Sequence, residues 1–252
     1  MRGVFVTGTG TEVGKTVVAA VVARTLAAEG KRVAVFKPAV TGLDELAAAG
    51  PKGGTAGDLS AQRRGSAADH ELLRWAAGSE QSDDEIAPYR YGPPMSPHLA
   101  AELVGEEIDR GRLLAAARAA ADGADALVCE GVGGLLVPLG RVSGPMGKKR
   151  ARAYLVRDFA VELGLPVVIA ASPGLGTINH TLLTIEVARA AGLEVAAVVL
   201  TPWPEQPSAI ERSNRKTIAA LGRVEVETLP LLDLDKPADR KTSWRFLPAI
   251  RE

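Results

Sequence analysis

One stretch of the chain decides the fold class: the apolar run Gly3–Val6 leads, through Thr7, into Gly8-Thr9-Gly10-Thr11-Glu12-Val13-Gly14-Lys15-Thr16. A short apolar run, a glycine-rich turn and Gly-Lys-Thr at the start of a helical segment are typical of a P-loop. Glycines allow several backbone N–H groups to point at one phosphate, and the N-terminal end of the next helix adds positive partial charge. The stretch therefore predicts a nucleotide-binding α/β domain.

The last two residues of this stretch carry the expected chemistry. In a P-loop, Lys15 reaches the β- and γ-phosphates and the Thr16 hydroxyl binds Mg²⁺. The common spacing G-x-x-x-x-G-K-[ST] requires a glycine where this chain has Thr9, so Gly8 lies one residue too early. The loop is either a variant one residue longer or a chance match. Its position before the amphipathic run Val17–Leu26 favours the variant.

Composition limits the remaining classes. A length of 252 residues suits one large α/β domain, and we predict a single domain over residues 1–252. The 30 Lys and Arg residues balance 30 Asp and Glu residues, which argues against nucleic acid or an anionic membrane as partner. A single cysteine, Cys129, excludes a disulfide framework and a cysteine-based zinc site. With no apolar stretch of roughly 20 residues, we expect a cytoplasmic protein.

Short apolar runs alternate with helical segments along the chain. Buried parallel strands read as such runs, so the alternation predicts a doubly wound, mainly parallel sheet flanked by helices. The predicted strands are Gly3–Thr7, Arg32–Phe36, Ala124–Glu130, Pro166–Ala171, Glu194–Leu200 and Val224–Thr228. The predicted helices are Lys15–Glu29, Asp58–Arg64, Asp109–Ala121, Tyr154–Leu163, Asn179–Ala191 and Ala209–Leu221.

Polar residues and glycines follow these strands where each one ends. Lys37 and Thr41 follow the second strand, Glu130 and three glycines end the third, and Thr201 follows the fifth. Ligands of such sheets bind beyond the carboxyl ends of the strands. These residues are therefore expected to converge with the P-loop on one rim.

Each candidate also has an ordinary explanation. Lys37 serves a γ-phosphate or an anionic substrate group, or is an exposed lysine at a strand end. Glu130 is positioned like a Walker-B acid that holds Mg²⁺, or is a solvated strand terminus. Asp58 is a second Mg²⁺ ligand or an N-cap. Glu12 lies near the γ-phosphate or is a surface charge of the loop.

Other polar features give weaker signals. The three histidines lack the spacing of a metal site, and His70 is expected on a surface helix. Cys129 is expected in the core, and the basic run Lys148–Arg152 in a solvated loop. Two stretches, Asp44–Gly57 and Gly140–Arg152, are interpreted as insertions without an assigned role.

With these residues in view, the sequence resembles the dethiobiotin synthetase family over most of its length. The P-loop that is one residue too long for the general motif has the spacing of this family. The resemblance rests on these motifs: Val6–Thr16, Lys37-Pro38 with Thr41-Gly42, Asp58, Pro94–His98, Glu130–Gly134 and Leu175–His180.

The resemblance implies an enzyme of biotin biosynthesis that closes a ring on 7,8-diaminononanoate with CO₂, ATP and Mg²⁺. It also implies a homodimer whose substrate site lies at the subunit interface. The implied catalytic residues are Lys37, Lys15 and Glu12. The implied nucleotide ligands are Gly10, Thr11, Glu12, Val13, Gly14, Lys15, Thr16, Val17, Thr201, Pro230 and Leu231. The implied substrate ligands are Thr11, Lys37, Thr41, Gly176, Thr177 and Asn179, and the implied metal ligands are Thr16, Asp58 and Glu130.

One position departs from the family pattern. Many members have an Asn-Asp pair after the fifth strand, where the asparagine amide contacts adenine, but this chain has Thr201-Pro202. A hydroxyl cannot match both edges of adenine as an amide can. We therefore expect weak discrimination among nucleoside triphosphates, with CTP or GTP accepted.

Two other functions remain as alternatives. A partition or septum-positioning ATPase shares this fold, but such proteins have a second lysine early in the P-loop, where this chain has Gly10. A cobalamin-pathway amido-ligase normally carries a glutaminase domain with a nucleophilic cysteine. Neither the length nor Cys129 fits that domain.

Overall fold

A computed structural model describes residues 1–49, 68–142 and 152–232. The strands are β1 (Gly3–Gly8), β2 (Val33–Phe36), β3 (Ala126–Glu130), β4 (Pro138–Val142), β5 (Arg152–Leu155), β6 (Val167–Ala171), β7 (Val195–Trp203) and β8 (Val226–Pro230). The helices are α1 (Lys15–Ala28), α2 (Leu43–Ala49), α3 (Asp69–Ala77), α4 (Asp83–Ile86), α5 (Pro97–Leu103), α6 (Arg110–Ala121), α7 (Val156–Leu163), α8 (Thr177–Ala190) and α9 (Ala209–Gly222).

Six strands form one sheet in the order β2-β3-β1-β6-β7-β8. Every pairing in this sheet is parallel. The predicted fold class, a doubly wound sheet flanked by helices, is confirmed. The carboxyl ends of β1, β2, β3 and β7 lie on one edge, as parallel pairing requires.

The two faces of the sheet are covered by different helices. Side chains alternate along each strand, so successive residues of β1 enter different cores. Val4 and Val6 pack in one core with Val18 and Val22 of α1. Phe5 packs in the other core, which also holds residues of α6, α7, α8 and α9. The P-loop helix α1 and the helix α8 therefore lie on opposite faces.

The backbone of the edge strand β2 forms hydrogen bonds with the side chain of Gln81. The Gln81 amide donates to the Val35 carbonyl at 3.1 Å and accepts from the Val35 N–H at 2.8 Å. Two residues further along, the Lys37 N–H donates to the Ile86 carbonyl at 2.8 Å. These contacts hold the end of β2 and orient Lys37 at the rim of the sheet.

The structure differs from the sequence-based elements in two places and does not describe a third. Tyr154 belongs to β5 rather than to a helix, because the two ends of the Gly140–Arg152 stretch and the residues next to them pair as the antiparallel strands β4 and β5. The helices α2, α4 and α5 were not predicted, whereas α3 contains His70, which was expected on a helix. The predicted helix Asp58–Arg64 and the run Lys148–Arg152, apart from its last residue, lie outside the described residues.

Candidate active site

The P-loop connects β1 to α1 with the geometry that its glycines allow. Gly14 has φ 85° and lies next to Thr201: a Cβ added to Gly14 would lie 2.6 Å from the Thr201 methyl carbon. Glu12, a residue with a side chain, has φ 60°. Left-handed backbone is uncommon outside glycine, and at Glu12 it makes the turn at the tip of the loop.

Lys15 begins α1 and bends back over the loop. Its Nζ donates to the Gly10 carbonyl at 2.7 Å, and the side chain is buried. Val13 and Gly14 are half-buried, whereas Thr11 and Glu12 are exposed at the tip. The Lys15 ammonium therefore lies inside the curve of the loop, where a phosphate would bind.

Thr16 belongs to a buried cluster with two carboxylates. Its hydroxyl lies 2.9 Å from Oε1 of Glu130 and 3.0 Å from Oδ1 of Asp69. Glu130 ends β3 and is fully buried, and Asp69 begins α3. Two residues predicted to converge, one in the first turn of α1 and one at the end of β3, are thus brought together, and Asp69 joins them without having been predicted.

Lys37 connects the same two carboxylates. Its Nζ lies 2.6 Å from Oδ2 of Asp69 and 2.6 Å from Oε1 of Glu130. Burial alone would lower the pKa of Lys37, but the two carboxylates outweigh burial and raise the pKa. Lys37 is therefore a buried cation at neutral pH, and the ordinary interpretation of an exposed strand-end lysine is wrong.

One carboxylate oxygen of this cluster lacks a hydrogen-bond donor among the described residues. Oε2 of Glu130 is buried and has no hydrogen-bond partner within the described part of the chain. A buried carboxylate oxygen without a donor is costly unless a cation binds it. Two carboxylates and a hydroxyl are hard oxygen ligands of the kind that Mg²⁺ takes beside phosphate and water. The residues present therefore fit a divalent cation.

The second predicted metal ligand, Asp58, lies outside the described residues. Within the described ranges no group of three His, Cys, Asp or Glu residues could hold a metal ion. The sequence contains a signal for Asp69 in retrospect, since it is the first residue of an amphipathic helix. That signal is shared by most helix-starting aspartates, so it could not select Asp69.

Thr41 lies in a segment that runs beside residues 89–93, which precede α5. Val40 exchanges backbone hydrogen bonds with Tyr89 at 2.9 Å and Tyr91 at 2.8 Å. The Gly42 N–H donates to the Pro93 carbonyl at 3.1 Å. These bonds fix the backbone around Thr41, whose side chain is half-buried.

The remaining predicted ligands lie at the ends of β7, β8 and β6. Thr201 is buried against the P-loop, and Pro230 pairs with Trp203 at the end of the sheet. Leu231 is exposed. At the start of α8, Thr177 is buried while Gly176 and Asn179 are exposed.

The weaker sequence signals have clear outcomes where the structure describes them. Cys129 is buried in the core, and burial raises the pKa of its thiol well above the usual value. His70 is buried rather than on a surface, because α3 packs against α1 through this side of the helix. His98 and His180 are exposed. No helix in the described ranges is long and apolar enough to cross a membrane.

Comparison with known proteins gives consistent results. A family model described as an AAA domain matches residues 2–232. ATP-dependent dethiobiotin synthetase BioD of Anaeromyxobacter dehalogenans strain 2CP-1 is 41% identical over 200 residues, covering 79% of this chain and 76% of that protein. The protein of the same name from Bacillus subtilis strain 168 is 31% identical over 226 residues, covering 90% of this chain and 85% of its own.

A solved structure gives a weaker likeness. It is a nucleotide-binding protein from Archaeoglobus fulgidus in complex with ADP, with a TM-score of 0.48 and 16% identity. The match covers 95% of this chain and 85% of that one. At this level the likeness carries no argument about function.

Proposed function

This chain belongs to the dethiobiotin synthetase family, and we propose that it closes the ureido ring of dethiobiotin from 7,8-diaminononanoate, CO₂ and ATP with Mg²⁺. The observation that carries the proposal is the buried contact of Lys37 with Glu130 and Asp69 beside the P-loop threonine. Such a cluster combines a cation for migrating phosphoryl charge with oxygen ligands for a metal.

The proposed reaction has three steps. One amine of the substrate adds to CO₂, loses a proton and becomes a carbamate. A carbamate oxygen then attacks the γ-phosphorus of ATP, which releases ADP and forms a carbamic–phosphoric anhydride. The second amine attacks the carbonyl carbon of this anhydride, the C–O bond to phosphate breaks, and phosphate and a proton leave as the cyclic urea forms.

The residues of this chain serve positioning and charge neutralisation, which dominate phosphoryl transfer. Lys15 neutralises the β- and γ-phosphates from inside the P-loop. Lys37 stabilises the carbamate and the transferred phosphoryl group. Thr11, Glu12 and Thr41 line the diamine and carbamate pocket, and the N–H groups from Gly10 to Val17 bind the phosphates.

Thr16, Glu130 and Asp69 would hold Mg²⁺. The metal supplies charge neutralisation at the phosphate oxygens when it is bound. Asp69 is the carboxylate that the structure brings to this cluster. Asp58, the residue favoured by the sequence, stays a prediction.

We also propose that the protein is a homodimer in which α8 of one subunit binds the substrate carboxylate in the other. α8 packs on the face of the sheet opposite α1, so its first turn does not share a face with the P-loop helix. Near this turn Leu175 is 97% exposed, and Leu183 on the same helix is 56% exposed. These two exposed leucines, one in the loop before α8 and one on the helix, offer apolar surface to a partner subunit.

The experiment is phosphate release with Mg²⁺-ATP and bicarbonate, with and without 7,8-diaminononanoate. Release that depends on the diamine, with dethiobiotin detected by mass spectrometry, is the expected result. Release that is indifferent to the diamine would contradict the proposal and favour the switch-ATPase alternative. Repeating the assay with CTP and GTP tests the expected weak nucleotide selectivity.

A further inference from the structure

Asn214 of α9 is a buried amide that reaches across to the loop between β6 and α8. Its Nδ2 donates to the Pro173 carbonyl at 2.9 Å and to the Gly174 carbonyl at 3.0 Å. Only 8% of the residue is exposed. One side chain thus uses its two amide hydrogens on two consecutive carbonyls of a loop 40 residues away in the sequence.

The loop that Asn214 holds exposes a large apolar side chain just before α8. Leu175 at its tip is 97% exposed, and Gly176 adopts φ 88° as the N-cap of α8. The Gly174 carbonyl also accepts the Thr177 N–H at 3.3 Å. One of the two carbonyls that Asn214 bonds is therefore also bonded to the first residue of α8.

We propose that Asn214 is a positioning residue for the substrate carboxylate. This inference rests on the proposed function, in which Gly176, Thr177 and Asn179 bind that carboxylate in the partner subunit. Asn214 does not touch the substrate. It fixes the loop so that the N–H groups of the first turn of α8, which lack intrahelical partners, keep one direction.

The physical argument concerns two buried carbonyls and one amide. When the amide is replaced by an apolar group, the Pro173 carbonyl loses the donor that Asn214 supplies, and the Gly174 carbonyl keeps only the long bond from the Thr177 N–H, so both turn towards water. Turning them rotates the peptide groups that lead into Gly176. The first turn of α8 then samples several directions, and an anion bound there loses affinity.

The expected effect is selective for one substrate. The substrate carboxylate is remote from the reacting amines, so a loosened carboxylate site raises the KM for the diamine and leaves the KM for the nucleotide unchanged. A general loss of stability would reduce the folded fraction and with it the apparent kcat, and would not raise the KM of one substrate alone. The split between the two KM values is therefore the readout that a merely structural role would not give.

The experiment compares Asn214→Leu and Asn214→Asp with Arg215→Leu. Asn214→Asp keeps the shape but removes the donors. Arg215 is the matched control, because it neighbours Asn214 on α9 but its Nε donates to the Val226 carbonyl at 3.0 Å and ties α9 to β8. Steady-state kinetics in both substrates is combined with hydrogen–deuterium exchange of the loop peptides.

Both Asn214 variants should raise the KM for the diamine by about tenfold or more at unchanged nucleotide KM, since a uniform binding contribution is lost. Exchange at Leu175–Thr177 should rise several-fold in these variants, and Arg215→Leu should change neither quantity. Unchanged loop exchange in both Asn214 variants would overturn the positioning role. Faster exchange with an unchanged diamine KM would overturn its link to the substrate.

If the proposed function is wrong, the results differ from those expected if Asn214 has no positioning role. For a wrong function, the unsubstituted protein releases phosphate without regard to the diamine. The exchange measurement then still decides whether Asn214 holds the loop, because it needs no substrate.

Discussion

Nζ of Lys37 and Oε1 of Glu130 are 2.6 Å apart in a buried contact between the ends of two adjacent parallel strands. Lys37 follows β2 and Glu130 ends β3, and the paired strands bring both to the same edge. The same carboxylate oxygen accepts the Thr16 hydroxyl at 2.9 Å. One buried carboxylate thus connects the P-loop helix to the cation that we assign to phosphoryl transfer.

Replacement of Lys37 leaves the buried Glu130 carboxylate without the cation that neutralises it. We expect Lys37→Ala to lower the free energy of unfolding of the nucleotide-free protein by about 3–5 kcal/mol, because a buried charge loses its partner. Turnover should fall by about a hundredfold or more, since transition-state charge is no longer neutralised. Urea denaturation and steady-state phosphate release measure the two effects.

A surface lysine and a double variant serve as controls. Lys31→Ala removes a half-exposed ion pair with Glu29 at 3.4 Å and should cost less than about 1 kcal/mol. Adding Glu130→Gln to Lys37→Ala should recover part of the lost stability, but no activity. A Lys37→Ala protein with near-normal kcat would remove Lys37 from the catalytic residues.

Asp69 should contribute to metal binding rather than to folding of α3. We expect Asp69→Asn to raise the Mg²⁺ concentration needed for half-maximal activity by about tenfold or more, since a carboxylate ligand is lost. Thermal stabilisation by Mg²⁺ with a nucleotide analogue should need correspondingly more metal. Both titrations measure the same loss by independent signals.

A second helix-starting aspartate is the matched control for this variant. Asp109 caps α6, and its Oδ1 accepts the Arg112 N–H at 2.6 Å. Asp109→Asn should leave both Mg²⁺ titrations unchanged. Equal titrations in the Asp69 and Asp109 variants would exclude Asp69 from the metal site.

The contrast between these two aspartates explains how far the sequence could predict the site. The order of strands and the positions of Lys37, Glu130 and Thr16 follow from short apolar runs, because every parallel strand delivers its last residue to one edge. Asp69 begins a helix that crosses to this edge from elsewhere. No local pattern distinguishes such an aspartate from a cap, so only the tertiary packing of α3 on α1 reveals it.

The segment β4–β5 shows a second limit. Its sequence lacks the tight-turn signal of a hairpin, and the antiparallel pairing of Gly140 with Tyr154 joins residues on the two sides of a longer stretch. Tyr154 precedes an amphipathic helix, so periodicity alone extends the helix over it. The strand is defined by its partner and not by its own residues.

Gly14 should be required for contact as well as for conformation. We expect Gly14→Ala to weaken nucleotide binding strongly, because a Cβ there would lie 2.6 Å from the Thr201 methyl carbon in addition to the strain of φ 85°. Gly30 has φ 80° and open space around the added Cβ. Gly30→Ala should therefore lose about 1–2 kcal/mol of stability and retain nucleotide affinity.

Isothermal titration with a nonhydrolysable ATP analogue and urea denaturation separate the two glycine variants. An equal loss of nucleotide affinity in Gly14→Ala and Gly30→Ala would contradict this prediction, because the two variants share the backbone strain but only Gly14→Ala would contact Thr201. Loss of stability alone in Gly14→Ala would have the same meaning.

Thr201 should determine how weakly the protein selects its nucleotide. We expect kcat/KM for ATP and CTP to differ by less than about a hundredfold, roughly 2.7 kcal/mol. The single oxygen of a hydroxyl does not reach the donor and the acceptor of adenine together, whereas the separate oxygen and nitrogen of an amide do. Thr201→Asn, which supplies an amide, should shift the ratio towards ATP. A native protein that prefers ATP over CTP by more than about a hundredfold would contradict this prediction.

The exposed face of α8 should form the proposed dimer interface. We expect Leu183→Glu to shift the protein towards the monomer in analytical ultracentrifugation and to raise the KM for the diamine, because a charge would be buried against the partner. Leu221 of α9 is 65% exposed and serves as the matched control. Leu221→Glu should change neither quantity. If Leu183→Glu remained dimeric with a normal diamine KM, α8 would not be the surface through which one subunit completes the site of the other.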